Sequence, residues 1–181
     1  MITEEIFQDV YILKNQIYED NRGIFQETYN KDLFASNGFK DNFVQDNLSF
    51  SEKIGTVRGL HFQRGKFAQS KLIRVLNGKI LDVFIDIRKS SKNFGKYFCV
   101  EITPESGSLY IPRGFAHGFC TLESKTSVLY KVDNFYNKEN ESGLNWKDPY
   151  LKIKWPSFKD YYLSEKDKSL PFLEDLDESL K

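Results

Sequence analysis

Residues 79–88, Lys-Ile-Leu-Asp-Val-Phe-Ile-Asp-Ile-Arg, constrain this chain more than any other stretch. In an extended backbone successive side chains point to opposite faces. Leu81, Val83, Ile85 and Ile87 therefore share one face, and Asp82, Phe84, Asp86 and Arg88 share the other. A sheet packed on both faces has no place for such a polar row, whereas a barrel whose lumen is a polar site does. Further strand-like runs follow at Phe98–Ile102, Ser108–Ile111, Gly118–Leu122 and Val128–Val132. Their spacing of about ten residues, with turn residues between, is that of a sandwich or barrel. Asn77-Gly78 between Lys71–Leu76 and Lys79–Arg88 reads as a hairpin, because both central residues must take positive φ. Toward the N-terminus, residues 6–14 read as one strand, Asp20-Asn21-Arg22-Gly23 as a turn and residues 24–29 as the strand after it. Residues 31–38 read as a short helix stopped by Asn37-Gly38, and residues 43–49 as a further strand. The acidic stretch Glu174–Glu178 reads as a solvated or helical end. With no repeat or linker to divide it, the chain reads as a single domain over residues 1–181.

Charge and cysteine content bound the function. Lys+Arg and Asp+Glu are equal at 26 each, so nothing in the balance points to nucleic acid or to a membrane surface. No apolar run approaches the roughly 20 residues of a spanning helix. The start, Met-Ile-Thr-Glu-Glu, has no basic region before an apolar one. Cys99 and Cys120 stand in apolar surroundings outside any Cys-x-x-Cys pattern, which suits buried thiols in a reducing compartment. The expectation is a cytoplasmic protein.

The chain has only two histidines, in Arg58-Gly-Leu-His61 and Arg113-Gly-Phe-Ala-His117. A metal site of this kind normally takes about three His or carboxylate ligands, often with two His close together, so no metal is expected. No Gly-x-Ser-x-Gly elbow, Walker loop or Gly-x-Gly-x-x-Gly is present. Acid–base chemistry in a barrel lumen remains. A histidine titrates near neutral pH, so His61 suits a base. Arg58, Lys71 and Arg74 offer positive charge to an anionic ligand such as a pyrophosphate. Lys71 can also stabilise an enolate oxygen, and Tyr130 can return a proton from the opposite side. Each has a plainer reading alone: a strand histidine held by a structural hydrogen bond, a strand tyrosine in the core. The residues by themselves leave both an isomerase and a sugar-binding module open.

Several motifs taken together resemble one family. They are Arg22-Gly-Ile-Phe-Gln-Glu27, Arg58-Gly-Leu-His-Phe-Gln63, Lys71-Leu-Ile-Arg-Val75, Asp82–Ser91, Phe94-Gly95, Ile111-Pro-Arg-Gly-Phe-Ala-His-Gly-Phe119, Leu129-Tyr-Lys131 and Ser164-Glu-Lys-Asp167. In this order, over nearly the whole chain, they resemble the dTDP-4-dehydrorhamnose 3,5-epimerases. The resemblance implies a cupin-type jelly-roll barrel that works as a homodimer without metal or redox cofactor. It implies a dTDP-4-keto-6-deoxyhexose substrate, whose C3 and C5 protons are acidic because both flank the C4 ketone. On this reading His61 is the general base and Asp167 orients its ring. Tyr130 reprotonates from the other face, and Lys71 meets the ketone oxygen. Arg22, Glu27, Gln45, Asn47, Arg58, His117, Glu141 and Lys166 match substrate-contact positions, and Tyr136 matches the aromatic that stacks on thymine. The segment Arg64–Ser70 departs from the expected Pro-Gln-containing link beside the pocket. Three alternatives stay open: an epimerase of C3 or C5 alone, one acting on another nucleotide's 4-keto sugar such as a GDP-linked heptose, and a non-catalytic sugar-binding cupin.

Overall fold

The computed structural model describes residues 1–176. Its strands run β1 (Ile2–Phe7), β2 (Val10–Lys14), β3 (Ile17–Asp20), β4 (Gly23–Gln26), β5 (Gln45–Ser51), β6 (Val57–Gln63), β7 (Lys71–Asn77), β8 (Ile80–Asp86), β9 (Tyr97–Ile102), β10 (Ser108–Ile111), β11 (Phe115–Thr121), β12 (Thr126–Val132) and β13 (Glu141–Gly143). Two short helices, α1 (Lys31–Ser36) and α2 (Glu165–Lys168), lie outside them. One sheet has the order β1-β2-β10-β7-β12-β5, the facing sheet the order β13-β6-β11-β8-β9, and β3 pairs with β4 alone. This is the expected all-β jelly roll. No helix of the described residues is long and apolar enough to cross a membrane.

The alternation in residues 79–88 is resolved by two separate cores. Ile80 and Phe84 point inward, with Ile73, Val75, Leu109, Phe115 and Phe119 around them. Leu81, Val83, Ile85 and Ile87 point outward, where the C-terminal segment covers them with Leu144, Leu151, Leu173 and Leu176. All of β8 is consequently buried; of its polar row, Asp82 bonds His117 and Asp86 bonds Arg88 and Ser91, so a sheet packed on both faces does hold such a row once each carboxylate is paired. The C-terminal stretch is thus more than a solvated tail. Leu173 and Leu176 are buried, and of the acidic stretch only Asp177 and Glu178 lie outside the described residues.

Asn77-Gly78 does make a turn, but not a hairpin. β7 pairs with β10 and β12, β8 pairs with β9 and β11, and the two lie in different sheets. Each arm is a central strand already hydrogen-bonded on both edges, so the turn carries the chain across the barrel. Residues 6–14 are likewise two paired strands, broken at Asp9 with φ 65°. The helix over 31–38 forms as Lys31–Ser36: the Asn30 side chain accepts from Asp32 N and Leu33 N at its start, a standard N-cap. Cys99 and Cys120 are free thiols.

Phe84 is fully buried and packs against Phe7, Phe98 and Phe115. Phe84→Ala should cost about 3–5 kcal/mol, since the cavity cannot collapse between two hydrogen-bonded sheets. In a thermal melt that is a drop on the order of 10 °C for a chain of this size. A change near 1 °C would mean that this side of the lumen is not tightly packed.

Candidate active site

His61 on β6 stands directly across the ladder from His117 on β11. The two strands approach closely enough that a Cβ on Gly59 (φ +115°) would lie 2.6 Å from Gly118 Cα, which fixes glycine at position 59. Both rings bind a carboxylate through Nε2. His61 Nε2 lies 2.8 Å from Asp167 Oδ1, and His117 Nε2 lies 2.8 Å from Asp82 Oδ2. A carboxylate only accepts, so each Nε2 carries the proton and each Nδ1 is left unprotonated in the neutral ring.

Asp167 is held on every side. Ser164 caps α2 by accepting from Asp167 N. Gly59 N donates to Asp167 Oδ2 at 3.1 Å, leaving Oδ1 for His61. Ser164-x-x-Asp167 is thus a cap through the Asp167 backbone and an imidazole partner through its side chain. Burial opposes its ionisation, but the bonds from His61, Gly59 and Ser164 outweigh that and hold its pKa below the ordinary carboxylate value.

The facing sheet supplies the other groups. Tyr130 on β12 sits opposite Asn47 on β5 and Ile73 on β7. Burial, helped by the Glu141 charge and opposed by Arg58, raises the Tyr130 pKa above its ordinary value, so the phenol keeps its proton at neutral pH. Lys71 is buried, and its Nζ donates to the His61 carbonyl at 3.2 Å. Desolvation lowers its pKa to about 8, although the Asp82 and Glu141 charges pull the other way. His117 is pushed below its ordinary pKa by burial, reinforced by Lys71 and opposed by Asp82. It is therefore neutral at neutral pH.

These side chains surround two adjoining cavities. The larger, about 590 Å³, is lined by Arg58, His61, Lys71, His117, Tyr130, Lys166 and Asp167 among others. The smaller, about 140 Å³, is lined by Gln45, Asn47, Tyr136 and Glu141 and shares His61, Lys71 and Tyr130. Arg58 donates to Ser51 Oγ and to the Phe50 carbonyl. Glu141 accepts from the Tyr136 hydroxyl at 2.7 Å and from Lys166 Nζ at 2.5 Å. Burial would raise the Glu141 pKa, but these two bonds lower it on balance.

Two predicted contacts stand elsewhere in the single chain. Arg22 pairs with Asp20 on the exposed β3–β4 hairpin, and Glu27 follows that hairpin; neither lines either cavity. Arg74 is on the outer face of β7, where it donates to Gln26. It supplies no charge to the lumen, because strand alternation turns it away from Lys71 and Ile73. Sequence reading saw Asp82 only as part of a polar row and missed its bond to His117. It also missed Phe50 and Tyr162 at the larger cavity, whose aromatic character alone carried no sign of location.

The model of the dTDP-4-dehydrorhamnose 3,5-epimerase family matches residues 4–175. The chain belongs to this family. It is 45% identical over 166 residues to the dTDP-4-dehydrorhamnose 3,5-epimerase of Sinorhizobium fredii, covering 91% of this chain and 85% of that protein. The Bacillus anthracis epimerase structure, with TDP and pyrophosphate bound, is 44% identical with a TM-score of 0.90, covering 94% of this chain and 97% of that one. The Legionella pneumophila epimerase, in complex with dTDP-4-keto-L-rhamnose, is 37% identical with a TM-score of 0.91, covering 97% and 94%.

Asp167→Asn retains the shape of the partner but removes the charge that orients and stabilises the His61 ring. Proton transfer by a positioned base is worth roughly 10²–10⁴-fold, so kcat should fall at least about 10²-fold with KM little changed. A variant with wild-type kcat would remove Asp167 from the proton-transfer apparatus.

Proposed function

We propose that this chain inverts C3 and C5 of a dTDP-4-keto-6-deoxyhexose, converting dTDP-4-dehydro-6-deoxyglucose to dTDP-4-dehydrorhamnose. One observation carries the reading: an oriented imidazole and a protonated phenol stand on opposite sheets and line the same two cavities. A carbon between them can lose a proton to one side and gain one from the other, which is inversion. Family membership supports the substrate class, and Arg58 and Lys166 in the larger cavity suit its diphosphate.

His61 Nδ1 takes the proton from the carbon beside the C4 ketone. The electron pair moves into an enolate whose oxygen is stabilised by the Lys71 ammonium. Tyr130 delivers a proton to the opposite face of the same carbon. His61 then gives its proton up to solvent and Tyr130 regains one, and the second carbon follows by the same route. Tyr136 stacks on the thymine, and Gln45, Asn47, His117 and Glu141 hold the remaining polar groups of the substrate. Carbon oxidation states are the same before and after, so the reaction calls for no redox cofactor.

A cytoplasmic homodimer belongs to the same reading. The β3–β4 hairpin leaves Ile17, Tyr18, Ile24 and Phe25 exposed at 46%, 61%, 68% and 70%. Seating this hairpin on a second copy would cover that apolar surface and would carry Arg22 and Glu27 toward the second copy's cavity.

In heavy water, NMR of dTDP-4-keto-6-deoxyglucose with the protein should show deuterium entering at C3 and C5. His61→Asn should abolish uptake and retain dTDP binding. A wild-type protein that binds but exchanges nothing would be a sugar-binding module, and exchange at one carbon alone would make it a mono-epimerase. The pH profile gives an independent check. The charged form of Lys71 is lost as pH rises through about 8, so kcat should fall there. Lys71→Arg, which stays charged, should move that limb upward toward the ionisation of Tyr130. A limb unmoved by Lys71→Arg would assign it to another group.

A further inference from the structure

The smaller cavity contains three glutamines that none of the chemistry above uses fully. Gln63 follows His61 by two residues on β6, Gln69 precedes Lys71 by two residues, and Gln45 precedes Asn47 by two on β5. Residues two apart on a strand share a face, which relates Gln63 to His61 and Gln45 to Asn47; Gln69 lies before β7 begins at Lys71 and joins them as a lining residue of the same cavity. The glutamines therefore form one layer beside the layer of His61, Lys71 and Asn47.

A single loop, residues 134–137, sets how each amide is turned. Gln69 Nε2 donates to the Asn134 carbonyl at 2.7 Å. Gln45 Oε1 accepts from Tyr136 N and Gln63 Oε1 from Asn137 N, both at 3.3 Å. Gln45 Nε2 then donates to Asn47 Oδ1 at 2.9 Å. Backbone groups cannot reverse polarity, so the orientation of these amides is fixed. What remains for a ligand is the Gln69 Oε1 acceptor together with the Gln63 Nε2 and Asn47 Nδ2 donors, which have no other partner among the described residues. The loop is in turn braced by the divergent segment 64–70: Arg64 donates to the Asn140 and Glu139 carbonyls, and Asn134 Nδ2 donates to the Lys66 carbonyl.

An acceptor beside donors in about 140 Å³ matches a hydroxyl, which gives one hydrogen bond and takes others. A phosphate or a ketone only accepts. In a 4-keto-6-deoxyhexose joined to its nucleotide through C1, the C2 hydroxyl is the one hydroxyl not attached to a reacting carbon. We propose that Gln63 and Gln69 are specificity-determining residues that hydrogen-bond the C2 hydroxyl of the substrate. This rests on the function proposed above and names which part of the sugar the smaller cavity reads. The hydroxyl then anchors the ring while C3 and C5 change configuration.

The test compares dTDP-4-keto-6-deoxyglucose with its 2-deoxy analogue. The wild-type protein should prefer the 2-hydroxy sugar in kcat/KM by about tenfold or more, because an analogue lacking the hydroxyl leaves the enclosed amides unpaired. Gln69→Leu and Gln63→Leu should each shrink that preference toward unity while dTDP affinity stays near wild type; each also loses one bond to the 134–137 loop, so the melting temperature should drop by a few degrees without loss of the fold. Unchanged preference in both variants would overturn the assignment. So would an equal loss of affinity for dTDP itself, which would show the amides acting on the nucleotide or on the placement of Tyr136. Deuterium exchange in the wild-type protein reads the epimerase assignment separately, so failure of one inference is distinguishable from failure of the other.

Discussion

The hydrogen bond from His61 Nε2 to Asp167 Oδ1 is the interaction on which the site depends. It joins a barrel strand to a four-residue helix more than 100 residues away in sequence, at 2.8 Å. A neutral imidazole has one proton and two nitrogens that compete for it. With the carboxylate fixed by the Gly59 amide and by the Ser164 cap, that competition is decided and Nδ1 keeps its lone pair. The C-terminal segment is thus both the cover of the outer core and the source of the carboxylate that orients the proposed base, His61.

The facing sheet brings Tyr130 and Lys71 to the same cavities in a different environment. Tyr130 and Lys71 are shielded from water, and burial favours the neutral form of each. It favours the neutral phenol, which has a proton to give. It also brings the Lys71 ammonium to about 8, where it can stabilise an enolate without holding its proton as firmly as a solvated lysine does. Asp82 and Glu141 keep this from going further, since both charges favour the protonated amine. The second carboxylate–histidine pair, Asp82 with His117, places a neutral ring beside that lysine rather than a competing cation.

The fold was legible where periodicity carried it. The regular strands from Phe98 to Val132 announced a barrel, whereas the polar row of β8 proved to be carboxylates paired within a sheet packed on both faces. Pairing was not legible at Asn77-Gly78, because a turn signal describes two residues, while strand partnership depends on edges supplied by β9, β10, β11 and β12. Nor could the outward burial of Leu173 and Leu176 be read from a stretch whose acidic residues dominate its composition. In the site, His61, Lys71, Tyr130 and Asp167 meet as their motifs implied. Arg74 does not, because a one-residue step along a strand reverses the face. The amide layer of Gln45, Gln63 and Gln69 was invisible, since glutamines on three separated segments carry no shared pattern until the sheets bring them together.

Because the chain has only two histidines, the tautomer of the proposed base can be observed directly. Nitrogen-15 NMR of the histidine-labelled protein at neutral pH should show both rings protonated at Nε2. Replacing Asp167 by Asn should perturb one ring and leave the Asp82-bonded ring unchanged. A His61 ring protonated at Nδ1 in the unmodified protein would contradict the account, since its lone pair would then point at Asp167 and no base would face the cavity.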